Sequence, residues 1–128
     1  MKTKNSYFIF AGFLNFFTAF LHLIGGQLDL VNPLLQSSLS LEIKTQWLGV
    51  WHMATIILFA STIILFISAY QQKFTTELIK FIGYLYILLS IPFMITNLIY
   101  GILVPQWILL LPIGILTLIG IKKTTIHA

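Results

Sequence analysis

Four long apolar runs constrain this chain more than any other feature. They cover about 7–26, 46–70, 77–100 and 104–121. Each is close to the roughly 20 residues that an α-helix needs to cross a bilayer core. In lipid, backbone N–H and C=O groups must be satisfied without water, which leaves helices and closed barrels as spanning structures. Barrel strands are short and alternate apolar with polar residues; these runs do neither. The fold class expected is therefore all-α: a polytopic membrane protein, an antiparallel bundle of four transmembrane helices, forming one domain over 1–128.

Composition agrees with a lipid solvent. Hydrophobic residues make up 59% of the chain and charged residues 8%, against about a quarter charged in a soluble domain. No room is left for a separate soluble catalytic domain. The absence of cysteine excludes disulfides, thiolate metal sites and thiol catalysis. The formal net charge of +4 comes from scattered lysines. Nucleic acid as a partner would need a concentrated basic patch, so the lysines read as topology signals instead.

Orientation follows from their distribution. With the N-terminus cytoplasmic, Lys2, Lys4, Lys73, Lys80, Lys122 and Lys123 fall inside and only Lys44 outside, as the positive-inside rule requires. The expected location is the cell membrane, multi-pass, with both termini cytoplasmic. Tyr7 would mark the inner boundary, and Trp47, Trp51, Tyr100 and Trp107 the outer one. Met1–Lys4 has the charge of a signal-peptide start, but the following run is longer than such a leader uses, so a retained first helix is expected.

The connections differ in kind. Residues 70–76 form a tight polar turn, and Gly101 and Pro105 bracket another. Pro92 and Pro112 fall inside helices, where each frees a carbonyl; Ser90 is a candidate to satisfy the one that Pro92 frees. The stretch from about 27 to 45 reads as a long outer loop. Its Asn32-Pro33 pair resembles a helix start, and Leu34, Leu35, Leu39, Leu41 and Ile43 make it too apolar for free solvent. A short interfacial helix over about 33–44 is expected.

Polar residues inside the runs point to a site. Asn15, Thr18, His22, Gly25 and Asp29 recur at steps of three or four, one face of an α-helix. Such a stripe should face the bundle interior. His22, His52, Asn97 and Gln106 fall at a similar depth near the outer end, each on a different helix, with Asp29 just above and Trp51 at the rim. The candidate ligand-binding residues are therefore His22, His52, Asn97, Trp51, Gln106 and Asp29. They suit a small molecule or lipid headgroup in an outward-facing polar pocket.

Other chemistries remain open at this layer. His22 and His52 are candidate metal ligands, either to an ion completed by Asp29, Glu42 or water, or as two axial ligands of haem. The cofactor is not specified by the sequence. His127 lies at the cytoplasmic end and takes no part. Interhelical hydrogen bonding without any ligand is the plainest use of these residues. An enzyme is not the expected reading, since Asp29 and His22 could orient a base but no nucleophile stands beside them. An accessory subunit that binds a larger membrane protein, with membrane lipid as the other partner, also fits the apolar surface.

A small transporter acting as a dimer is a further reading, and in size and helix number the chain looks like the small multidrug-resistance exporters. Those rely on a Glu within the first helix, and 7–26 here holds neither Glu nor Asp. More broadly, His22 with Gly25-Gly26, the Asn32–Leu35 segment, Trp51-His52 and Gln106-Trp107 together resemble small uncharacterised four-helix bacterial membrane proteins. That resemblance implies a four-span fold and no particular activity.

Overall fold

A computed structural model describes residues 4–71 and 74–126, with side chains to Lys123. Lys2, Lys73 and His127 lie outside the described residues. Four helices are each long and apolar enough to cross a membrane: α1 (Ser6–Gln36), α2 (Leu41–Gln71), α3 (Thr76–Tyr100) and α4 (Gln106–Ile126). No strand occurs among the described residues. The chain is an all-α, multi-span bundle.

Asn5 ties one end together. Its side-chain oxygen caps α1 by accepting from the N–H groups of Tyr7 and Phe8, which would otherwise lack partners. Its Nδ2 donates to the Gly120 carbonyl at 2.9 Å, and its backbone N–H donates to the Ala69 carbonyl at 3.1 Å. The start of α1 and the ends of α2 and α4 therefore share one level. Lys4 lies over the Tyr70 ring and Lys123 over the Tyr7 ring at this end.

The helices pack closely as α2–α1–α4–α3, while α2 and α3 do not approach closely along their length. The α3–α4 seam depends on glycine. A Cβ on Gly114 would stand 2.7 Å from the Gly83 carbonyl oxygen, and one on Gly83 would stand 2.6 Å from Leu118. Small residues let transmembrane backbones meet and gain dispersion energy, which matters where lipid supplies no hydrophobic drive. Ala11, Ala19, Leu58, Leu65, Ile82, Tyr86, Leu110 and Ile113 fill the core.

The turns follow their chemistry. Thr75 caps α3 through Leu78 N. Gly101 ends α3 at φ 63°, a left-handed conformation that costs a residue with a Cβ about 1–2 kcal/mol. Pro92 and Pro112 are both inside helices. The Ser90 hydroxyl donates to the Ile87 carbonyl at 2.6 Å, not to the Leu88 carbonyl that Pro92 leaves free.

The segment expected as a long loop is helical. α1 continues from the bilayer run to Gln36, and only residues 37–40 interrupt it before α2 begins. There is accordingly no separate helix over 33–44. The continuation is made by two π-turns, Leu21–Gly25 and Gln27–Val31. Gly26 N–H reaches the Leu21 carbonyl and Asn32 N–H the Gln27 carbonyl, each five residues back. The run stops just before Pro33, which has no N–H to extend the ladder. Ser37 and Ser40 close the hairpin: the Ser37 hydroxyl bonds the Leu34 carbonyl, and Ser40 caps α2 at Ile43 N.

Counted from the Asn5 level at 1.5 Å per residue, α4 begins about 21 Å up, while α1 and α2 reach beyond ~40 Å. The α1–α2 hairpin therefore projects past the α3–α4 turn.

Candidate functional site

The end of the bundle away from the termini carries all the predicted site residues, but they do not converge on one polar pocket. His22 and Trp51 form the tightest unit. Their rings stack at 3.8 Å between centroids and 14° between planes. His22 Nε2 stands 3.2 Å from the Trp51 carbonyl oxygen, so this nitrogen carries the proton if the contact is a hydrogen bond. The same carbonyl accepts from the Thr55 hydroxyl. Trp51 also occupies the space beside Gly26, where a Cβ would stand 2.3 Å from the indole. The indole is thus held between the His22 ring and the Gly26 backbone.

His52, the next residue along α2, is exposed. The two imidazoles do not stack on one another, and His22 has its ring face and Nε2 engaged with Trp51. That leaves Nδ1, whose lone pair lies in the ring plane, as the His22 nitrogen able to hold a metal ion. Among the described residues, no group of three or more His, Cys, Asp or Glu gathers.

Asn97 fastens the turn between α3 and α4. Its Oδ1 accepts from Val104 N at 2.7 Å and its Nδ2 donates to the Val104 carbonyl at 3.4 Å. Gln106 and Trp107 begin α4 half-buried, and Gln106 Oε1 and Trp107 Nε1 have no hydrogen-bond partner. Trp51 Nε1 is buried and unpaired as well.

Asp29 is exposed. The predicted stripe assumed α-helical spacing throughout, under which Asp29 lies two turns above His22 on the same face. The π-turns put residues four and five apart on a face instead. The inward set becomes His22, Gly26 and Val31, and Val31 is only 3% exposed. Seven residues of π geometry is about one and a half turns, so Asp29 is carried to the opposite side.

Where the hairpin projects, an open cleft of about 160 Å³ lies between α1 and α2. Leu30, Val31 and Leu34 form one wall, and Trp47, Leu48 and Trp51 the other. Its character is apolar rather than polar, with the unpaired Trp51 indole N–H in one lining side chain.

The most complete polar network lies deeper. Asn15, fully buried, donates from Nδ2 to the Leu58 carbonyl at 3.0 Å and accepts from the Tyr86 hydroxyl at 2.8 Å. Ser61 also reaches that hydroxyl, and Thr62 bonds the Leu58 carbonyl. Three helices are joined at one point, with both functional atoms of Asn15 satisfied. Sequence reasoning placed Asn15 on an interior face without pairing it with Tyr86. Both lie roughly ten residues, about 15 Å, from the same end of the bundle, and that equality was the available signal.

With this geometry in place, comparison outward adds nothing to it: no protein-family model, curated protein or solved structure matches the chain.

Proposed function

We propose that this multi-span membrane protein binds an amphipathic small molecule or a membrane lipid at the end that carries Trp47, Trp51 and Trp107. The single observation behind this reading is the cleft between α1 and α2. Its six lining residues offer apolar surface where the α1–α2 hairpin projects past the α3–α4 turn. An alkyl chain gains about 25 cal/mol for each Å² removed from water there. His22 holds the indole in place. Asp29, Gln106 and His52 are not among the residues that line the cleft.

The lysine distribution supports a cleft that opens outward. Lys4, Lys80, Lys122 and Lys123 fall at the end that carries the termini, while Lys44 is at the other. By the positive-inside rule the termini are cytoplasmic.

Quenching of tryptophan fluorescence by lipids brominated along one chain tests the reading. The purified chain in nanodiscs should be quenched more strongly than Leu30→Ser and Leu34→Ser variants, which make one wall polar. Equal quenching of all three, together with no saturable effect of added single-chain amphiphile, would sink it.

A further inference from the structure

We infer that Trp51 sets the helical register of α1 beyond His22, and that without an aromatic ring at this position the segment relaxes to an ordinary α-helix that exchanges Val31 for Asp29 on the inward face. The claim does not depend on what occupies the cleft.

Two consecutive π-turns are unusual, since π geometry occurs mostly as single turns and often at functional sites. A cause is needed, and the contacts supply one. The indole lies against the Gly26 backbone so closely that a Cβ would stand 2.3 Å from it. The His22 ring covers the indole at 3.8 Å, and His22 Nε2 meets the Trp51 backbone carbonyl. His22 lies within the first widened turn and Gly26 closes it. The indole fills the space between them, which holds this part of α1 against α2 in its wide form.

The sequence encodes the other register as well. Asn15, Thr18, His22, Gly25 and Asp29 form a regular α-helical stripe. Only the π-turns remove Asp29 from it and put Val31 in its place. The two registers differ by about half a turn over 21–31. They also differ in what they build. Leu30, Val31 and Leu34 face Trp47, Leu48 and Trp51 only in the π register, so the cleft exists only there. A molecule seated in the cleft favours the register that forms it.

The chain has no cysteine, so single Asp29→Cys and Val31→Cys chains carry one nitroxide each. Their collision accessibility to oxygen and to a water-soluble nickel chelate is measured in nanodiscs. With Trp51 present, the label at 29 should be mobile and accessible, and the label at 31 immobile and protected. With Trp51→Ala the two should exchange. Gly26→Ala, which displaces the ring without deleting it, should produce the same exchange, whereas Trp51→Phe should keep the original pattern. A label at Tyr84 on α3 should read the same in every background, reporting an intact bundle. If position 31 stays protected and 29 accessible in both Trp51→Ala and Gly26→Ala, with position 84 unchanged, the inference is overturned. If Trp51→Ala disturbs position 84, Gly26→Ala and Trp51→Phe decide between the two outcomes.

Discussion

Replacing Asn15 with alanine leaves the Tyr86 hydroxyl with Ser61 and removes a donor from the Leu58 carbonyl, both in the dry centre of the bundle. Hydrogen bonds between transmembrane helices are worth roughly 0.6–2 kcal/mol, and a buried polar group left with fewer partners adds its own cost. Asn15→Ala should therefore lower stability by about 1–3 kcal/mol, read by denaturant titration in mixed micelles. Tyr86→Phe should cost less, about 0.6–2 kcal/mol, because Asn15 keeps its bond to Leu58. The double variant should fall short of the sum, since the two changes delete the same bond. Strict additivity would mean that the Asn15–Tyr86 contact contributes nothing. Asn5 separates two roles in the same way. Asp at this position can still accept from Tyr7 and Phe8, but it cannot donate to Gly120. Asn5→Ala, which loses the cap too, should be the worse of the pair by about 1 kcal/mol.

Among the elements, α3 and α4 are held by backbone proximity and α1 by an irregular ladder, and substitutions should sort accordingly. Gly114→Val inserts atoms where the Gly83 carbonyl already stands 2.7 Å from a Cβ position. Overpacking of this kind costs about 1–3 kcal/mol. Gly49→Ala, at a helical position with open space around the added carbon, should be neutral or stabilising by up to ~1 kcal/mol. Comparable losses at both positions would contradict the close α3–α4 approach. The elements also show what sequence reading reaches. Apolar run length gave the four spans, because the energetic demand on backbone groups in lipid leaves a clear linear trace. The π-turns left none. Their cause is a tertiary contact between Trp51 and Gly26, residues on different helices. A stripe counted at α spacing therefore carried Asp29 to the wrong side, and the segment over 27–45 read as a loop. The site suffered most from this. Equal depth groups His22, His52, Asn97 and Gln106 near one end, but depth does not specify facing. His52 follows Trp51 by one residue and is exposed, and Asn97 is occupied by its own turn.

At the scale of the whole molecule, an even number of crossings places both chain ends on one side and the 37–40 tip on the other, and the cleft near that tip shares its side. The lysines distinguish in from out because positively charged flanks resist translocation. Four described lysines lie at the terminal end, and Lys44 lies on the projecting hairpin. A cysteine placed at Ser38, which is exposed, should react with a membrane-impermeant maleimide added to intact cells. A cysteine at Lys4 should react only after the membrane is opened. The reverse pattern would keep the four-span bundle but turn the cleft toward the cytoplasm, so that its ligand would come from inside. Reaction of both positions from one side would break the bundle itself, since Asn5 and the hairpin tip would then share a face of the membrane. This separation matters for the cleft because a site at the outer headgroup level meets a different lipid leaflet, and different dissolved molecules, from one at the inner level. Orientation thus selects the pool of candidate ligands before any contact in the cleft discriminates among them.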